Sequence, residues 1–154
     1  MALALFILCL IFWFILDIFK VKKFHKKIPN LLLLFILKLI IIQIILGAFL
    51  SGLDGGLIYN SWPDMNGSFF PDDIILNDVI NFQLFNNASI VQFFHRTTAY
   101  LLLFFIIILN YHYIKKKYDI KNILLFDISI LIQIFLGIIT LISGVEIKYA
   151  SLHQ

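Results

Sequence analysis

Four stretches of this sequence are too apolar and too long for the surface of a soluble domain: residues 3–19, 31–50, 90–114 and 123–143. A bilayer core about 30 Å thick is crossed by about 20 apolar residues in a helix, so each run is long enough, or nearly so, to span. The chain is 62% hydrophobic and only 14% charged, where a soluble domain carries about a quarter charged residues. The fold class that follows is all-α, a transmembrane four-helix bundle built as one unit over residues 1–154. The first run resembles a signal peptide in length. It lacks a basic start and its lysines come after it, so it reads as a true span. Cys9, the sole cysteine, lies inside that run, which excludes an internal disulfide.

The charges set an orientation. Lys20, Lys22, Lys23, Lys26 and Lys27 separate spans one and two, and Lys115, Lys116, Lys117 and Lys121 separate spans three and four. The positive-inside rule places both groups in the cytoplasm. The long connection 51–89 carries Asp54, Asp64, Asp72, Asp73 and Asp78 without a lysine or arginine, and is read as an external loop. The N-terminus is then external, and so is the turn 144–148. The net charge of +3 comes from these clusters; no basic strip interleaved with aromatics exists to bind nucleic acid. The six residues from Tyr149 cannot cross a bilayer. The expectation is a fragment in which a further helix begins at 149–154.

Within this frame one phrase recurs. Gln43-Ile44-Ile45-Leu46-Gly47 precedes Gln92-Phe93-Phe94-His95-Arg96, and Gln133-Ile134-Phe135-Leu136-Gly137 precedes Ser151-Leu152-His153-Gln154. Topology puts His95 and His153 at similar depth near the external face. Two imidazoles at one level can ligate an iron from opposite sides of a planar macrocycle. Gly47 and Gly137 would allow such a ring to come close to a helix backbone. Intramembrane ionisable residues are functional candidates by default, although a single intramembrane histidine also serves as a hydrogen-bonded contact between helices.

Arg96 offers a forked donor for haem propionates, or else snorkels to the interface. Gln92 shares a helix face with His95, where it would fix the ring's tautomer or join helices. In the external loop, Tyr59 and Trp62 suit an interface belt. Asn66-Gly67-Ser68 and Asn87-Ala88-Ser89 match a glycosylation pattern that is common by chance. His25 lies among lysines, and His112, between Tyr111 and Tyr113, reads as an interface anchor. Lys38, inside span two, is expected either to pair with Asp127 or Asp17 or to snorkel.

Four motifs in order carry a family resemblance: Gly52-Leu53-Asp54-x-Gly56-x-x-Tyr59-Asn60-x-Trp62-Pro63-x-Met65-x-Gly67, Gln92-Phe93-x-His95-Arg96, Gln133-x-x-Leu136-Gly137-Ile138-x-Thr140-Leu141, and His153-Gln154. From span two onward the chain resembles the C-terminal half of haem A synthase. The resemblance implies half of an eight-helix protein with a two-fold repeat, its last helix truncated here. It implies an oxidoreductase that turns the C8 methyl of haem O into a formyl group, giving haem A for cytochrome c oxidase. Its cofactor would be haem b, with His95 and His153 as axial ligands to the iron. Haem O is the implied substrate; membrane lipid, the other half of the enzyme and an electron donor are the implied partners, and a homo-oligomer is compatible with it. The location would be the bacterial or mitochondrial inner membrane. The chain departs from the family in lacking a second histidine pair and an intramembrane glutamate, its only glutamate being Glu146. The implied work of this half alone is therefore electron delivery. The alternatives are a membrane b-type cytochrome without haem-modifying activity and a non-haem transport or assembly protein. The first leaves the loop from Asp54 to Gly67 unexplained.

Overall fold

The structure, a computed structural model, describes residue 11 and residues 30–73, 83–117 and 121–154. The expected first span 3–19 lies outside them except for Ile11. The described part is all-helical: α1 (Asn30–Gly52), α2 (Ala88–Lys115), α3 (Lys121–Ile142) and α4 (Ile147–His153), with short 3-10 turns at Gly55–Leu57 and Gln83–Asn86. Among the described residues, three helices are long and apolar enough to cross a membrane: Leu31–Gly52, Ala88–Lys115 and Ile123–Ile142. They sit within two residues of the second, third and fourth expected spans.

α1 and α2 run antiparallel. Their seam follows helical spacing, with Ile36 and Leu39 of α1 facing Leu102, Ile106, Leu109 and Tyr113 of α2, and the Phe35 and Phe105 ring centroids 4.6 Å apart. Lipid tails are as apolar as these side chains, so the seam is held by close packing and polar bonds more than by burial from water. α3 joins the same cluster through Ile123, with Phe126 and Ile130 packed against it. These residues lie near the end of the molecule that carries Lys115, Lys116 and Lys117, called here the lysine end.

At the opposite, loop end, local chemistry sets the helix boundaries. α2 begins two residues before the apolar run because the Asn87 side chain accepts from the Ser89 and Ile90 amides, at 3.0 and 3.2 Å, satisfying donors that a helix start leaves open. α3 ends in a Schellman turn: the Val145 amide donates to the Thr140 carbonyl and the Gly144 amide to the Leu141 carbonyl, with Gly144 left-handed at φ 68. The chain reverses there, and α4 returns along α3.

Lys38 forms no ion pair with Asp127. The ion pair found among the described residues is Lys148–Glu146, at 2.9 Å. Lys38 is exposed on its helix, and Asp17 lies outside the described residues.

Candidate functional site: two histidines on matched glycines

His95 and His153 meet. Each lies about 9–10 Å along its helix from the loop end, at 1.5 Å rise per residue, and their ring centroids are 6.5 Å apart with planes at 84°. The repeated phrase explains how each ring is seated. A methyl group added at Gly47 would lie 3.3 Å from His95 Cε1, and one added at Gly137 would lie 2.8 Å from His153 Cε1 and 3.2 Å from its Nε2. Each imidazole therefore rests on the bare backbone of the glycine in its own phrase. The close approach expected of a macrocycle is, in this structure, made by the imidazoles themselves.

The glutamines of the phrase act one turn away. Gln43 Nε2 is 3.2 Å from His95 Nε2, and the Gln133 amide donates to the His153 carbonyl at 2.9 Å. The amide that meets the His95 ring is thus Gln43, not Gln92. The signal was in the sequence: Gln and Gly four residues apart share a helix face, so one residue can present the ring while the other supports it. Nδ1 of each histidine is buried without a hydrogen-bond partner. No cluster of three or more His, Cys, Asp or Glu that could hold a metal occurs among the described residues.

Gln92 and Arg96 point to the loop. Gln92, 1% exposed, donates to the Tyr59 carbonyl at 3.0 Å. Arg96 Nη1 donates to the Ser61 and Asp64 carbonyls at 3.0 and 2.8 Å, and Nη2 to that of Tyr59 at 2.8 Å. Its Nε is buried and unpartnered. The guanidinium thus ties down three carbonyls of a loop that has little regular structure of its own. Tyr59 is a hub, 6% exposed, where an interface anchor was expected; Trp62 is 46% exposed.

The Tyr59 hydroxyl donates to Asp73 Oδ1 at 2.9 Å and the Ser89 hydroxyl to Oδ2 at 2.5 Å. Burial, then the Asp73 carboxylate, raises the Tyr59 hydroxyl above its ordinary value of 10.0, so it stays a donor. Partial burial pulls Asp73 upward, but the Ser89 and Tyr59 hydrogen bonds outweigh it and hold the carboxyl below its ordinary 3.8. Asn60 donates twice, to the Gly56 carbonyl at 2.7 Å and to the Leu141 carbonyl of α3 at 2.8 Å. Sequence reasoning missed Tyr59, Asn60 and Asp73 as contacts because each reaches a partner that no periodicity links to it.

An apolar cavity of about 370 Å³ opens on the flank of α1 and α2, lined by Ile42, Ile45, Leu46, Phe85, Val91, Phe94 and Thr98. Neither histidine lines it, so it is separate from the gap between the rings.

Comparison with known proteins identifies the family. A family profile described as cytochrome oxidase assembly protein (COX15-CtaA) matches residues 1–154. The chain is 77% identical over 154 residues to the Heme A synthase of Pelagibacter ubique (strain HTCC1062), covering 100% of this chain and 46% of that protein. It is 40% identical over 119 residues to the Heme A synthase of Wolbachia sp. subsp. Brugia malayi (strain TRS), covering 77% of this chain and 34% of the relative. It is 38% identical over 135 residues to that of Rickettsia bellii (strain OSU 85-389), with 86% and 40% covered. No solved structure matches. The chain spans less than half the length of each of these relatives. Matched along its whole length by the family profile, with three helices able to cross a bilayer, it belongs to the COX15-CtaA family of cytochrome oxidase assembly proteins.

Proposed function

We propose that this chain is the haem b-holding, electron-delivering half of a haem A synthase, with His95 and His153 as the axial ligands. One observation carries the reading: two intramembrane imidazoles face each other 6.5 Å apart, each on the glycine of one repeated phrase. Two imidazoles on opposite sides of one metal, with bonds of about 2 Å, hold their ring centres about 6–6.5 Å apart. Each ring also has a nitrogen that no protein group engages, as a ligand requires.

When bound, haem b supplies reversible one-electron chemistry whose potential follows its axial ligands, burial and hydrogen bonds. The protein's part is to hold two neutral rings, shield them among apolar helices and bias His95 through the Gln43 amide. With His95 and His153 both holding it, the group would supply electron transfer more readily than oxygen activation. Arg96 Nε is buried without a partner while its other nitrogens hold the loop, so it could donate to a carboxylate. Oxidation of the haem O methyl would belong to the complete protein, whose relatives are Heme A synthases of more than twice this length. The lysine end would face the cytoplasm of a bacterial cell and the loop end the outside of its inner membrane.

Haem extraction from cells lacking the gene tests the activity. Haem O is expected to accumulate and haem A to disappear, with the native gene restoring both; unchanged haem A would refute the reading.

The glycine seats give a second expected result. Gly137→Ala puts a methyl inside contact distance of His153, whereas Gly47→Ala asks His95 to give by a few tenths of an ångström. Haem content per purified protein should fall several-fold in Gly137→Ala and about twofold or less in Gly47→Ala. Equal losses would show that the rings do not rest on these glycines when haem is bound.

A further inference from the structure

The two histidines ride on different bodies. His95 belongs to the α1–α2 pair, and His153 to the α3–α4 hairpin. The apolar cluster joining these bodies lies towards the lysine end, and Ile130 is the residue of α3 nearest the loop end that packs against it. Gly137, the seat of His153, is seven residues further, about 10 Å beyond that anchor at 1.5 Å per residue. A tilt of α3 by about 6° would move the seat by about 1 Å, enough to spoil a coordination geometry that tolerates roughly half an ångström.

What closes this lever is at the loop end. Asn60 gives one hydrogen to the Gly56 carbonyl within its own loop, at 2.7 Å, and the other to the Leu141 carbonyl at the end of α3, at 2.8 Å. Gln92 and Arg96 hold the neighbouring Tyr59 carbonyl, so the loop is fixed to α2 on one side of Asn60 and to α3 on the other. Gly56 also packs on the Schellman turn: a Cβ built on it would lie 2.7 Å from Val145 Cγ2 and 4.0 Å from Val145 Cβ. A weaker contact, Gln154 to the Ser51 hydroxyl at 3.4 Å, spans the same gap.

We propose that Asn60 is a positioning residue: its two-carbonyl clasp fixes the tilt of α3 and thereby the gap between His95 and His153. Asn60 is not among the residues that touch either ring. The proposal rests on the reading of these histidines as haem ligands.

The test uses the full native-length protein in a Cys9→Ser background, purified with its haem. Asn60→Asp keeps the shape of the side chain but removes both donors and sets a carboxylate against two carbonyls. It should lower the low-spin haem signal at least about threefold and shift its electron paramagnetic resonance, which reads the two axial rings. A disulfide should then replace the clasp. Gly56→Cys with Val145→Cys places the two Cβ atoms near 4.0 Å, inside the range a disulfide accepts. Added to Asn60→Asp, it should restore the parent signal when oxidised and lose it again on reduction. A protein damaged generally by the substitution would not recover in this reductant-dependent way. The proposal is overturned if Asn60→Asp keeps the parent spectrum, or if the disulfide forms without restoring it. Histidine variants kept alongside separate the two ideas: if they retain haem, the ligand reading fails; if they lose it while Asn60→Asp does not, the clasp alone fails.

Discussion

Replacing either histidine with alanine is expected to cost the low-spin haem spectrum, with bound haem falling at least about tenfold. Loss of a group that merely orients a metal ligand already costs about 10–100-fold in affinity, and here the ligand itself would go. The two losses should be unequal. His95 sits in the second turn of the 28-residue α2, with Gln43 against its ring. His153 sits at the end of the 7-residue α4 and is held by Gln133 through its backbone carbonyl and not through its ring. His95→Ala should therefore empty the site more completely. His153→Gly should recover part of the spectrum with added imidazole, since the first ring stays in place. A reduced-minus-oxidised spectrum of each purified variant decides it, and a double variant with the parent spectrum would remove both residues from the site.

Arg96→Ala is expected to be the single change that most destabilises the loop. It deprives the Ser61 and Asp64 carbonyls of their guanidinium donor and leaves Tyr59 with Gln92 alone. The Asp64 carbonyl keeps the Ser61 hydroxyl as a donor, so the Ser61 carbonyl alone loses its partner; an acceptor left so costs about 1–3 kcal/mol, which sets the expected total. Arg96→Lys should recover only a minor part, because an ammonium cannot fork to three carbonyls at fixed angles. The temperature of thermal unfolding in detergent should fall by roughly 5 °C, and proteolysis should appear first within residues 53–73. A wild-type melting temperature in Arg96→Ala would show that these carbonyls find other donors at no cost.

The spans were legible because length and hydropathy are local properties of a chain in a bilayer, and the positions of α1, α2 and α3 followed directly. The meeting of His95 with His153 was also legible, since one phrase written twice placed both at one level. The roles around them were less so. Asn87 was read only for a chance glycosylation pattern, though an asparagine ahead of an apolar run is also a helix cap. Gln92 and Arg96 were assigned towards a cofactor by their nearness to His95 in sequence. One residue along a helix is about 100° of rotation, and that angle carries the Arg96 guanidinium to the loop. Asn60 and Asp73 lay in a segment whose contacts are all long-range: Asn60 reaches 81 residues along the chain to Leu141, a distance at which no repeat or spacing speaks.

The Gly47 seat has a consequence in time. Every residue that shapes it, from Gln43 to Arg96, is synthesised at least about sixty residues before His153. At about 5–20 residues per second, the first ring has its support for several seconds before the second ring exists. On the proposed reading, a planar ligand reaching the membrane in that interval would find one imidazole on a finished bed, and the α3–α4 hairpin would arrive afterwards over its other side. If the two histidines hold a haem as proposed, the order of synthesis would let it be loaded from one side, where a slot formed all at once would have to be threaded.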